Sequence, residues 1–344
     1  MPSSSSSRII HLPGEQQRQK APKKPLTIYG SRNLDALLET GEAIRMAQPW
    51  ETDDVGYICR ALVQATLPYK EPKGEPPAWG RTNGKVSLVI QPGFYFTQEK
   101  VVQNGRVLLR QVPHCLGYPY GAVPRLILPW IGREVKRVKS REIGLGNSLV
   151  EFMTALGMTS ISGGKNGSIT RLRDQFRRLF SSKIAILDNP ENAIDWGSDG
   201  FNLADKSQIW WDSEESMMGQ RGLFESRIYL SERFYEELSA HPVPVDLRAL
   251  RVLSRNPAAL DLYTYLTYRM FSLRRETEVP WEVLRMQFGT EIEEMSKFRQ
   301  LMRSSLEKVL LVYPDAKVSM DSKHGMILRP SPTSVRKLLR ASEA

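Results

Sequence analysis

Residues 256–329 read NPAALDLYTYLTYRMFSLRRETEVPWEVLRMQFGTEIEEMSKFRQLMRSSLEKVLLVYPDAKVSMDSKHGMILR, and the punctuation of this stretch decides the fold. Asn256 is a good N-cap, and Pro257 suits a first helical turn, where its missing N–H would be unbonded anyway. Leu260, Tyr263, Leu266, Thr267, Met270 and Phe271 then recur at the spacing of a helix with one buried face. A charged break follows at 274–278. Pro280 opens a short helix that Gly289 closes. Thr290 and Glu293 have the spacing of a capping box, which predicts a third helix running to about Leu310. Two short strands, 313–319 and 326–329, flank the polar turn at 321–325. Just upstream, Asp246 caps a helix over 246–253 with Leu247, Leu250 and Leu253 inside.

A looser copy lies at 148–187. Ser148 and Glu151 again have capping-box spacing, and the block 148–157 matches 280–289 in length and in its final glycine, a residue suited to the left-handed position that ends a helix. A linker, a basic helix (168–180 here, 291–310 in the second unit) and a strand-like run follow each block. The pattern predicts an α+β chain of tandem winged-helix domains, each a helix-turn-helix with a β-wing. Two unrelated helical hairpins in one α+β core remain the competing reading. The predicted division is a disordered basic tail at 1–30, an N-terminal winged-helix domain with insertions at 50–240, a C-terminal one at 245–332, and a tail at 333–344. His241-Pro-Val-Pro244, held extended by its prolines, is the expected junction.

Between these landmarks the sequence predicts a helix over 34–46. A second helix, capped by Asp53 or Asp54, places Val55, Ile58, Leu62 and Ala65 on one face. Strands are expected at 86–90 and 107–112 with a tight turn at Asn104-Gly105. A helix from Pro124 to about Val138 carries a basic cluster, Arg133, Lys136, Arg137, Lys139 and Arg141. A strand at 141–145, strands at 183–187, 208–211 and 226–230, and a helix at 231–238 complete the reading.

The chain has 344 residues and a net charge of +10, which favours an anionic partner. The signs are sorted rather than mixed. Residues 165–183 hold six Lys or Arg against Asp174 alone, whereas 188–241 hold twelve Asp or Glu against four Lys or Arg. The two cysteines, Cys59 and Cys115, lie far apart, so a disulfide framework is excluded and no ligand spacing for zinc is present. No run approaches the length of a membrane span, and the Ser-rich start lacks the apolar core of a secretory signal; a cytoplasmic protein with no membrane partner is expected.

The helix at 168–180 has an apolar stripe (Ile169, Leu172, Phe176, Leu179, Phe180) and an opposite stripe of Arg171, Gln175 and Arg178, flanked by Arg173 and Arg177, with Thr170 at its start. A helix of this length fits a major groove, where Arg reads guanine or phosphate and Gln reads adenine. The polar loop before it adds Lys165, Asn166 and Ser168. In the second unit Lys297, Gln300, Arg303, Ser304 and Lys308 face outward, and Lys323 sits at the wing tip. These fifteen residues are the expected contacts to double-stranded DNA.

Chemistry is sparse. The four histidines are scattered, and no zinc-protease, nucleophile-elbow or phosphate-loop motif is present. Acidic pairs such as Asp53-Asp54 and Glu214-Glu215 have no convergent partner. A binder without cofactor or metal, rather than an enzyme, is expected.

Five runs in order, 117–128, 167–180, 242–250, 259–263 and 279–282, resemble the plasmid-encoded RepA replication initiators of IncW-type broad-host-range plasmids. That resemblance implies a protein that binds direct repeats (iterons) at a plasmid origin, promotes origin opening, recruits the host initiator and replicative helicase, and controls copy number. It leaves monomer or homodimer open. The alternatives are a winged-helix transcriptional repressor, acting on its own gene among others, and a nicking or primer-making enzyme.

Overall fold

The computed structural model describes residues 31–336, apart from 75, 85, 104–105, 147, 159, 189–200, 209–225 and 290. In chain order the elements are α1 (Ser31–Met46), β1 (Val55–Cys59), α2 (Arg60–Gln64), β2 (Trp79–Asn83), β3 (Val86–Gln91), β4 (Phe94–Gln103), β5 (Arg106–Cys115) and α3 (Ala122–Val138). There follow β6 (Glu142–Gly144), α4 (Leu149–Ala155), α5 (Ser168–Ser181), β7 (Lys183–Asp188), β8 (Phe201–Asn202), β9 (Ala204–Gln208), β10 (Arg227–Leu230), α6 (Glu232–Ala240) and β11 (Pro242–Asp246). The last third holds α7 (Leu247–Leu253), α8 (Pro257–Ser272), β12 (Thr277–Pro280), α9 (Trp281–Phe288), α10 (Met295–Val312), β13 (Val318–Met320) and β14 (Gly325–Leu328). The class is α+β with several small sheets, as the sequence predicts.

One arrangement occurs twice. In the first instance α3 leads through β6 to α4 and α5, and β9 and β10 return so that the sheet order is β6-β10-β9. In the second, α8 leads through β12 to α9 and α10, and β13 and β14 return in the order β12-β14-β13. Every pairing in both sheets is antiparallel. The first instance carries an addition: β7, expected to follow its helix as a simple strand, instead joins the separate sheet β2-β3-β7-β8.

Local signals set most helix ends. Ser148, Ser231, Asp246 and Asn256 each accept a backbone N–H two or three residues on. Gly157 closes the turn after α4 at φ 76, in the left-handed region. The third helix of the second unit starts later than predicted. Thr290 lies outside the described residues, and α10 begins at Met295 after an N-cap, Glu294, whose side chain makes no cap bond. Phe271, placed on the inner face of α8 by spacing, is 56% exposed near the end of that helix.

One further expectation fails. Residues 55–59 are a strand, not a helix; β1 pairs with β11 from Val55 opposite Asp246 to Cys59 opposite Pro242. Residues 242–244 of the expected junction are extended, as their prolines suggest, and form the first part of β11. At the chain's end Ser334 and Val335 are buried, and the Ser334 hydroxyl lies 2.6 Å from the Tyr263 hydroxyl, so the described part of the expected tail packs on α8. The tight turn, by contrast, is consistent with the register: Gln103 stands opposite Arg106 in the β4–β5 hairpin, although residues 104–105 themselves lie outside the described residues. The expected tails at 1–30 and 337–344 and most of the acidic stretch 188–225 also lie outside them.

The halves share a core. α1 crosses α10 so closely that a Cβ at Gly41 would sit 2.1 Å from the Leu311 carbonyl oxygen. A Cβ at Gly132, in α3, would sit 1.9 Å from the Tyr57 oxygen of β1. At the centre Arg125 of α3 makes a two-pronged ion pair with Asp261 of α8, Nε–Oδ1 2.7 Å and Nη2–Oδ2 2.8 Å. Its remaining N–H groups donate to the carbonyls of Leu67, Pro68 and Gly121. Burial opposes the guanidinium charge, but Asp261 more than offsets it, and the Arg125 pKa lies above its usual value.

Breaking a buried pair leaves an unmatched charge and costs about 3–5 kcal/mol. Arg125→Met should therefore lower the urea midpoint by a corresponding amount, and α5 and α10 should lose protection in one transition. Two separated transitions, or no loss of stability, would contradict the shared core.

Candidate nucleic-acid interface

The N-terminus of α5 is organised by hydroxyls. Ser162 and Ser168 bond reciprocally, Ser168 N–H to Ser162 Oγ at 3.0 Å and Ser162 N–H to Ser168 Oγ at 2.9 Å. The Ser168 hydroxyl donates to the Ser160 carbonyl, and that of Thr170 to the Gly164 carbonyl. These hydroxyls were expected at DNA; their protons are committed to shaping the 160–167 loop. Gly164 takes φ 84, and a Cβ on Gly167 would meet the Ser162 and Gly163 oxygens at 2.3 and 2.4 Å. Lys165 and Asn166 are exposed on this loop.

On α5, Leu172, Phe176, Leu179 and Phe180 are buried as predicted. Phe176 packs at a tilt against Phe180 at 4.4 Å and meets Phe152 edge-on at 6.0 Å. Arg171 and Arg177 are exposed, with Asp174 exposed between them. Arg173 is half-buried. Two members of the predicted outer stripe are elsewhere. Gln175 is buried, and its Oε1 accepts the Tyr120 N–H at 2.8 Å. Arg178 pairs with Glu71 and lies over the Tyr120 ring at 5.4 Å. A Cβ on Gly117 would strike that pair, 2.8 Å from Arg178 Nη1 and 3.1 Å from Glu71 Oε1. Gln175 and Arg178 thus hold α5 to the loops before α3.

On α10, Phe298, Met302, Leu306 and Val309 are buried. Gln300 and Arg303 are exposed, and Lys297 is exposed but paired with Glu294 at 2.7 Å. Ser304 donates to the Leu301 carbonyl. Lys308 is half-buried, and burial lowers its pKa. Arg299 and Arg303 both lie over the Trp281 ring, at 5.5 and 5.6 Å. Trp281 in turn donates Nε1–H to the Asp321 carbonyl, fastening the β13–β14 turn to α9. In that turn Asp321 Oδ1 accepts the N–H groups of Lys323 and His324, at 2.7 and 2.9 Å. The His324 amide first, then that of Lys323, holds the Asp321 carboxyl below its ordinary pKa. Lys323 is exposed beside it.

The cluster predicted at 133–141 is largely engaged internally. Glu134 binds Arg133 and Arg137, Lys136 donates to the Ser239 carbonyl, and Arg141 pairs with Asp205. Sequence reading also missed a basic surface. Arg248, Arg251 and Arg255, spaced three and four apart, face an open cleft of about 1340 Å³ together with Arg133 and Arg171. Their spacing was the available signal, passed over because 246–253 was read only for its leucines. Among the described residues no three His, Cys, Asp or Glu side chains converge, and no helix is long and apolar enough to cross a membrane.

Residues 118–282 match the sequence family described as "Plasmid encoded RepA protein". Among solved structures, the crystal structure of RctB domains 2-3 aligns with 78% of this chain and 94% of its own, at 12% identity and a TM-score of 0.43. The selenomethionine derivative of RctB domains 2 and 3 aligns with 78% and 93%, at 10% identity and the same score. No curated protein matches the chain.

The loop geometry separates two neighbouring glycines. Gly167→Ala forces a Cβ into two backbone oxygens and should cost about 1–3 kcal/mol, with faster amide exchange across 160–167. Gly163→Ala meets nothing within 4 Å and should stay within about 0.5 kcal/mol of the parent. Equal melting temperatures for the two variants would show that the loop is not held as described.

Proposed function

From the match of residues 118–282 to the plasmid-encoded RepA family, we propose that the chain is a plasmid replication initiator that binds duplex DNA through tandem winged-helix units. The observation that carries this reading is the repeated order helix, strand, helix, helix, hairpin, with each hairpin's last strand between its partner and the leading strand. A winged helix presents its third helix to the major groove and its wing to the flanking phosphates. Here those third helices are α5 and α10. The outward cations Lys165, Arg171 and Arg177, with Asn166, would contact DNA from the first unit. Gln300, Arg303 and Lys323 would do so from the second.

The units correspond to residues 50–240 and 245–332, resting on one shared core rather than hanging from a linker. Direct repeats at an origin are the proposed target. Bending of several bound repeats would supply the strain that melts neighbouring A·T-rich DNA, and host initiator and helicase are the proposed recruits. Nothing in this scheme asks the protein to make or break a covalent bond.

If about eight phosphates are neutralised, the logarithm of affinity should fall with the logarithm of salt at a slope of about −7. Arg171→Ala and Arg177→Ala, both at exposed positions, should leave melting unchanged. Where the side chain reads a base, each should cost about 1–3 kcal/mol of binding to an origin fragment in a footprinting titration. Variants that bind weakly should also fail to maintain a plasmid carrying that origin. Normal binding by both variants would remove α5 from the interface. Tight binding by the parent chain without plasmid maintenance would favour a repressor.

A further inference from the structure

The cleft between α5 and the turn joining α7 to α8 is unusual in its charge. Five arginines line it, Arg133, Arg171, Arg248, Arg251 and Arg255, and among the described residues no carboxylate does. Three of the five are neutralised from behind: Arg133 by Glu134, Arg248 by Asp246 and Arg251 by Asp54. Arg171 and Arg255 are exposed, and among the described residues neither side chain has a hydrogen-bond or ion-pair partner. They stand on opposite halves of the molecule, Arg171 on α5 and Arg255 just before α8.

We propose that this cleft is part of the duplex-binding surface, and that Arg255 holds a backbone phosphate of the DNA whose groove α5 enters; the proposal rests on the reading of α5 as a DNA-contacting helix. Like charges gathered on one concave surface repel, and an anion between them relieves that repulsion. A guanidinium fork matches two oxygens of a phosphate. The walls cannot drift apart to relax the repulsion, because the α3–α8 ion pair and the β1–β11 ladder fix one half against the other. Position makes Arg255 a backbone contact rather than a base reader. It leaves a turn in the same cleft as Ser168 and Arg171 of α5, where the flanking strand would pass. The duplex would then run from α5 onto the α7–α8 turn, a path that engages the second unit before α10 does. A free phosphate or a mononucleotide shares the same chemistry, and the test separates it.

The full-length protein, Arg255→Ala, Arg255→Lys and Arg171→Ala would be titrated by fluorescence anisotropy against a labelled origin duplex and a random-sequence duplex of equal length, over a salt series. Arg255→Ala should weaken both duplexes by the same factor, about three- to tenfold, and make the salt slope shallower by about 0.9, the signature of one lost phosphate contact. Arg255→Lys should recover most of the loss. If Arg171→Ala weakens binding while Arg255→Ala leaves affinity and slope unchanged, the cleft proposal falls and the α5 reading stands. If neither has an effect, both fall. Should Arg255→Ala abolish binding of inorganic phosphate or a mononucleotide, by calorimetry, with DNA affinity intact, the site is a small-anion site and the proposed DNA path is overturned.

Discussion

A guanidinium in a protein interior is costly unless its charge is met by an opposite one, and Arg125 is met by Asp261, a residue 136 positions away. The pair joins the leading helix of the first repeated arrangement to the leading helix of the second. Around it two guanidiniums lie over the Tyr69 ring, Arg81 at 5.3 Å and Arg125 at 5.1 Å, and Arg81 reaches on to Glu291 at 3.0 Å. Burial first, and the carboxylate of Asp261 next, push the Tyr69 hydroxyl far above its ordinary pKa, so it stays neutral in this charged core. The spacing between the two units is therefore a property of the fold rather than of a linker. The proposed binding of DNA repeats would use such a fixed spacing.

Seen from this core, the cations divide into two populations. One is internal or braced: Arg81, Arg125, Arg178 and Arg248 hold loops and helices together through carboxylates and carbonyls. The other is exposed, and includes Lys165, Arg171 and Arg255. Net charge alone does not distinguish them. The braced arginines set the shape of the surface on which the exposed ones are displayed, and α5 shows both within two turns, with Arg171 outward and Arg178 tied to Glu71.

This division explains what the sequence could and could not show. Caps at Ser148, Asp246 and Asn256, and the glycine closing α4, were legible because each acts within a few residues of itself. The apolar stripes of α5 and α10 were legible because helical spacing is local. The β1 strand was misread because Val55, Ile58, Leu62 and Ala65 also fit a helix. What decides against one is pairing with residues 242–246, far along the chain. Gln175 has an outward-seeming place in the pattern of α5, yet the Tyr120 amide claims it from another segment. Arg255 was overlooked for the converse reason. It lines the same cleft as Arg171, from a distant part of the chain, and periodicity carries no such information.

Hydrogen–deuterium exchange of the full-length protein, with and without an origin duplex, addresses the central claim most directly. The account predicts that DNA slows exchange together in the 160–167 loop, the first turns of α5 and the α7–α8 turn, at one DNA concentration, because a rigid core presents them as a single surface. Protection confined to one unit, or appearing in the two units at different concentrations, would contradict it.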